Sequence, residues 1–267
     1  HKMDKEFKSK GAVEVSVEAG VSRIEFSHPQ SNSLPSAVLK KLTKAIDQES
    51  LNPESQIILL SSSGDRVFCG GASFDELASI SNEKEGLRFF SGFANVINAM
   101  RKSPKLIVGR IQGKAVGGGV GLASAVDYCI ATEYAGVKLS ELAVGIGPFV
   151  VGPAVERKIG KSAMSQLAID ATQFRPAEWA LNKGLYSQVY PTIESMDQGI
   201  SELLKSLTSQ SASAQTALKK MLWEGFDHWD ELLSTRALIS GKLVLTEESK
   251  ASISLILEKK IKLINKR

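Results

Sequence analysis

The chain has few of the residues that build covalent or metal-centred sites. Its 267 residues include two cysteines, Cys69 and Cys129, and three histidines. Both cysteines stand in apolar surroundings without a C-x-x-C partner, which argues against a disulfide framework or a zinc site, so no metal is expected. His1 and Lys2 ahead of Met3 read as an expression scar, leaving His28 and His228, which provide poorly for a histidine-centred catalytic system. No apolar run reaches the roughly 18 residues of a membrane span, and the charged start lacks a signal-peptide core. A cytoplasmic protein with no membrane partner is expected. Charge of one sign is also scarce. The 33 basic and 29 acidic residues leave +4, too small and too evenly spread to require nucleic acid. What is present, 43% apolar and 23% charged residues, is the composition of a globular chain with material for a sizeable core.

Residues 13 to 26 alternate as a hairpin does. Val13, Val15 and Val17 point one way, Ala19-Gly20 turns the chain, and Ile24 and Phe26 resume. A turn-rich loop from His28 to Ser33 leads into a helix with Val38, Leu42 and Ile46 on one face. Gln56 to Leu60, Leu106 to Val108 and Tyr128 to Ala131 are short apolar runs of strand length, the pattern of strands buried on both faces. Between them, Glu83 to Met100 carries a helical stripe that includes Phe89, Phe93 and Ile97. This alternation predicts an α/β fold over residues 1–192. From Ile193 onward only helical patterns occur, giving a second region over 193–267. Ala217, Met221 and Leu222 form one stripe there. Ile253, Leu257 and Ile261 form another, begun by Thr246 as N-cap with Glu247 and Glu248 in its first turn. These stripes must pack on the chain's own core or on a neighbouring subunit. Trp223, Phe226 and Trp229, in the same region, suit a subunit contact or a ligand pocket equally well.

Two glycine clusters stand out, Gly70-Gly71-Ala72 and Gly117-Gly118-Gly119. Each follows an extended segment and precedes a helical one. Helix starts present unpaired N–H groups, and glycine lets a ligand approach the backbone closely. Neither cluster has a nucleotide-binding fingerprint. Either they are tight turns, or their amides converge as an oxyanion hole.

Phe68-Cys69-Gly70-Gly71-Ala72 resembles the F-x-x-G-A segment of the crotonase (enoyl-CoA hydratase/isomerase) superfamily. Residues 111–123, from Ile111-Gln112-Gly113 through Gly117-Gly118-Gly119 to Ala123, with Asp127 following, resemble its V-x-G-x-A-x-G-G-G-x-x-L-A-x-x-x-D motif. Stretches at Ile159–Ala163 and Ala177–Leu185 match in the right order, so the resemblance runs over roughly residues 10 to 265. It implies a crotonase-type spiral of ββα units with a C-terminal helical trimerisation region, hence a homotrimer or a dimer of trimers. It also implies an acyl-CoA thioester substrate and no separate cofactor, coenzyme A being part of the substrate. Carried over by position, the oxyanion-hole amides are those of Ala72 and Gly118, with Gly71 and Gly117 beside the substrate. The loop holding Asn32 then falls on the adenine side.

The resemblance also separates the possible reactions. Hydratases of the family carry two glutamates about twenty residues apart, whereas this chain has Gly121 at the first place and Glu141 at the second. Lys138 and Ser140 replace the usual glycine and proline ahead of Glu141, Ser73 stands where Asp is usual, and Gln112 replaces Asn. Hydration needs a water held for attack and a proton delivered, shared by two acids. A 1,3 proton shift needs one acid–base group and a held enolate. Pro148-Phe149-Val150-Val151 after Glu141 is bulky and dry, which should raise the pKa of Glu141, and Phe149 is expected to border the substrate. The pattern is similar to the Δ3,Δ2-enoyl-CoA isomerases, with hydration as the alternative. A catalytically idle acyl-CoA binder, or an RNA binder using Lys259, Lys260, Lys262, Lys266 and Arg267, are further options. Asp127 is expected to be structural, and Asp75 and Glu76 to open the helix after Ala72.

Overall fold

A computed structural model describes residues 10–265. His1 and Lys2, and Lys266 and Arg267 of the basic C-terminal cluster, lie outside the described residues. The expected hairpin is formed by β1 (Ala12–Glu18) and β2 (Val21–Ser27), turned by Ala19 and Gly20 with φ of 51° and 78°. Both central residues at positive φ is the twist that a two-residue hairpin needs. Ile24 and Phe26 are buried, while Val15 and Val17 face outward on the edge strand.

From β2 the large sheet continues in parallel through β3 (Ile57–Ser62), β4 (Ile107–Ile111), β6 (Tyr128–Thr132) and β8 (Gln188–Tyr190). All six residues of β3 are buried, as a strand covered on both faces requires. A second ladder runs through short segments. Leu34 pairs with Ala72, Cys69 with Ala115, β5 (Ala115–Val116) with β7 (Val137–Lys138), and Val137 with Arg175. Successive turns of chain place one strand in the sheet, one short segment in the ladder, and then a helix. That is a spiral of ββα units.

The helices of the spiral are α1 (Ser36–Ser50), α2 (Phe74–Ser79), α3 (Glu83–Lys102), α4 (Gly118–Ala125), α5 (Gly152–Ile169) and α6 (Ala177–Lys183). Asn82 caps α3 by accepting from the Glu85 N–H, with Glu83 and Glu85 at the positive end and Arg101 and Lys102 at the other. Its aromatic stripe packs on α1 and on the inner side of the sheet.

After residue 192 come only α7 (Ile193–Thr208), α8 (Ala212–Leu222), α9 (Trp229–Leu243) and α10 (Glu247–Asn265). Helix α7 covers the outer face of the sheet with Met196, Ile200 and Leu204 against Ile57, Leu59 and Ile130. The Thr246 hydroxyl caps α10 by accepting from the Ser249 N–H. Two expectations for this region are corrected. Ala217, Met221 and Leu222 are exposed, and α8 instead buries Gln215 and Lys219. Trp223, Phe226 and Trp229 form their own edge-to-face cluster, with Trp223 and Trp229 buried in the chain's core and the Arg157 guanidinium 3.6 Å above the Trp223 ring. They are core residues of this chain because each ring finds an aromatic neighbour inside it.

Candidate active site

The ladder positions the two glycine clusters. Cys69 and Ala115 pair in parallel, and the Val116 N–H donates to the Cys69 carbonyl at 2.9 Å. Counting three residues on along each strand reaches Ala72 on one and Gly118 on the other, so parallel pairing brings these two amides level. A Cβ at Gly71 would lie 3.5 Å from the Gly118 nitrogen, which measures how closely the segments approach. Gly118 opens α4, and Ala72 precedes Ser73, the N-cap of α2. Neither amide donates to another described residue. Two free N–H groups side by side can hold an oxygen that gains negative charge.

Gly117 is confined to glycine by its backbone, at φ 54° and ψ −115°. Its N–H donates to the Lys138 carbonyl at 2.8 Å, which draws β7 and the following turn against it. Glu141 begins that turn, a 3-10 helix over Glu141–Val144 closed by the Ile146 N–H donating back to the Glu141 carbonyl. Its Oε1 lies where a Cβ on Gly117 would come within 2.8 Å, and its Oε2 is buried with no hydrogen-bond partner among the described residues. Loss of water around the carboxylate raises its pKa to about 7, opposed only in part by the residue's own N–H.

These groups face a narrow, partly open cavity walled by Leu77, Phe90, Phe93, Val144, Ile146 and Val150. Gly71 and Gly117 border it. Phe149 does not, which corrects the expectation. The Phe149 ring packs back against Gly147, and Pro148, Val150 and Val151 line the cavity instead. At the place of the missing first glutamate, a Cβ on Gly121 would stand 2.5 Å from Val151 Cγ1. A side chain from that position has no room.

A wider groove joins the cavity at Gly70, Ala72 and Phe74 and runs outward between the 29–33 loop and α10, with Lys260 on its far side. Asn32 is committed elsewhere. Its amide donates to the Ser63 and Val67 carbonyls at 2.9 and 3.0 Å, and its oxygen accepts from the His28 N–H. It shapes the loop, and the residues of that loop that line the groove are Pro29, Gln30, Ser31 and Ser33.

The other acids behave as expected. Asp75 and Glu76 lie in the first turn of α2, and Glu76 also accepts from the Ser36 N–H and hydroxyl at the start of α1. Asp127 accepts from the Ile107 N–H, the Trp223 indole and Lys219. Ser73 caps α2, and the Gln112 amide donates to Ser62 and Val67 ahead of the site. Ser240 of α9 reaches the cavity without any signal in the sequence, because a lone serine in a helix reads as a surface residue. No cluster of three or more metal-ligating side chains occurs among the described residues, and none of their helices is long and apolar enough to cross a membrane.

Residues 16–262 match the sequence profile of the enoyl-CoA hydratase/isomerase family. The chain is 26% identical over 250 residues to a trans-2-decenoyl-[acyl-carrier-protein] isomerase of Streptococcus mutans, covering 91% of this chain and 94% of that protein. It is 28% identical over 256 residues to a probable enoyl-CoA hydratase of Bacillus subtilis, covering 93% and 96%. Its fold superposes on a crystal structure of an enoyl-CoA hydratase from Bacillus halodurans with a TM-score of 0.85 and 22% identity, over 91% of this chain and 99% of that one.

Proposed function

The chain belongs to the enoyl-CoA hydratase/isomerase family, and from that footing we propose that it moves the double bond of a 3-enoyl-CoA to the 2-position with Glu141 as its one acid–base group. The thioester lies along the groove and its carbonyl oxygen enters the cavity, accepting from the N–H groups of Ala72 and Gly118. Glu141 takes a proton from the α-carbon, and the C–H electron pair passes into the enolate whose oxygen the two amides hold. As the enolate collapses, the α,β double bond forms and the former β,γ pair takes the same proton back from Glu141 at the γ-carbon. No atom is gained or lost.

One observation carries this reading. Val151 occupies the space beside Gly121, and Glu141 is the only carboxylate among the described residues that line the cavity. A second acid would be needed to share the work of holding and adding water. A pKa near 7 also suits a group that must serve first as base and then as acid at neutral pH.

The test is product identification on 3-enoyl-CoA and 2-enoyl-CoA, with Glu141→Gln alongside. Isomerisation that falls by about 10²-fold or more in the variant is expected. Rapid hydration with negligible isomerisation would instead favour the second reading, a hydratase, which the Bacillus subtilis relative supports by its name. Thioester binding without turnover would mark an idle acyl-CoA binder. A salt-sensitive mobility shift with RNA would point to the basic end of α10.

A further inference from the structure

Helix α9 contributes one side chain to the cavity, and that side chain is polar. Apart from Ser140 and Glu141, which belong to the reacting end, Ser240 is the only polar residue among the described residues that line the cavity. It is 1% exposed, and its hydroxyl makes no hydrogen bond with another described residue. The buried helical Ser124, by contrast, donates to the Val120 carbonyl at 2.7 Å. Ser240 does not.

The position of Ser240 is fixed by backbone packing. A Cβ on the next residue, Gly241, would lie 2.9 Å from the Gly86 carbonyl carbon, so α9 and α3 touch backbone to backbone there. Phe93 of α3 covers Gly118 at the amide pair. From Phe93 back to Gly86 is about two helical turns, roughly 10 Å along α3. Ser240 therefore stands at the end of the cavity away from the thioester oxygen, in a wall otherwise made of Phe90, Leu77 and their neighbours.

A plain hydrocarbon chain reaching this wall would leave a buried hydroxyl without a partner, at a cost of about 1–3 kcal/mol by the usual penalty for such groups. Resting on the acyl-CoA reading above, we infer that Ser240 is a specificity-determining residue that hydrogen-bonds an oxygen atom carried on the distal part of the acyl chain. The preferred substrates are then enoyl thioesters bearing a distal hydroxyl or carbonyl group.

The experiment compares two enoyl-CoA thioesters of equal chain length, one plain and one with a terminal hydroxyl, in the wild type, Ser240→Ala and Ser240→Thr. The readouts are kcat/KM and, independently, binding of the matching saturated thioesters by calorimetry. Wild type should favour the hydroxylated chain by about tenfold or more, the factor expected for one buried hydrogen bond. Ser240→Ala should bring the ratio close to one, and Ser240→Thr, which keeps the hydroxyl, should restore most of it. Thermal melts of each variant report whether it is folded. A wild-type ratio near one in both turnover and binding overturns the inference while leaving the double-bond shift intact. Failure of both saturated thioesters to bind overturns the acyl-CoA reading itself.

Discussion

The carboxyl group of Glu141 couples catalysis to stability through one cause, its separation from water. Its pKa of about 7 in the folded chain stands above the ordinary 4.5, so between those values the folded state holds a proton that the unfolded state has released. Stability from this group is therefore complete below about pH 4.5 and is lost as pH rises through about 7, by up to about 3 kcal/mol. Glu141→Gln has no charge to bury. It should melt above the wild type at pH 8, and the gap should close as the pH falls toward 4.5, as calorimetry across pH will show. Proton removal needs the ionised form, so kcat/KM for isomerisation should climb through an acid limb centred near pH 7. Gly117→Ala tests the same contact from the other side. Its methyl group would stand 2.8 Å from Glu141 Oε1 at a φ of 54°, pushing both the turn and the carboxylate. A drop in kcat of at least about tenfold is expected, since small misplacement of a catalytic group costs that much or more.

At the scale of elements, α8 is tied to the spiral by a buried charge. Lys219, 3% exposed at its side chain, donates to the Met100 and Lys105 carbonyls at 2.8 Å and pairs with Asp127 at 3.0 Å. It thereby meets a carbonyl near the C-terminus of α3 and the residue that receives the Trp223 indole. Asp127→Ala would strand the ammonium, and a loss of about 3–5 kcal/mol in urea unfolding is expected. Lys219→Met placed on top should recover part of it, because an unpaired buried charge costs more than an apolar substitute. This tie also explains which elements could be read in advance. Strand β3 and the hairpin follow short-range periodicity that a core face enforces, and Gly121 beside Glu141 exposed the one-carboxylate pattern. Periodicity misassigns helix α8 because it turns apolar residues inward, and nothing local announces that Lys219 has partners on three other segments. Rank after Glu141 puts the Phe149 ring beside the substrate, whereas the ring packs against Gly147, a contact that no local pattern encodes. Ser240 needed the α9–α3 contact, which no local pattern encodes.

For the whole molecule, the exposed side of the last helices is the feature still without a role. Leu218, Met221 and Leu222 on α8 are 44%, 55% and 44% exposed, and Leu255 and Ile261 on α10 are 55% and 57% exposed. Single exposed apolar residues are ordinary, but several large ones on two helices of one region, each already about half covered, would each yield roughly 1 kcal/mol if fully covered. A second and third copy of the chain are the occupants that the family resemblance implies, and closed symmetry would cover the same patch on every copy. Sedimentation should then give a mass of three chains of 28.7 kDa, or a multiple of three. Met221→Glu and Leu255→Glu, made separately, identify the covered face. The one that lowers the mass without lowering helix content lies in it. Because α10 also borders the groove through Leu257 and Lys260, a change that frees α10 should raise the KM for an acyl-CoA more than it lowers kcat. A single species of one chain at micromolar concentration, with full activity, would remove assembly from the account and leave the groove to be formed by this chain alone.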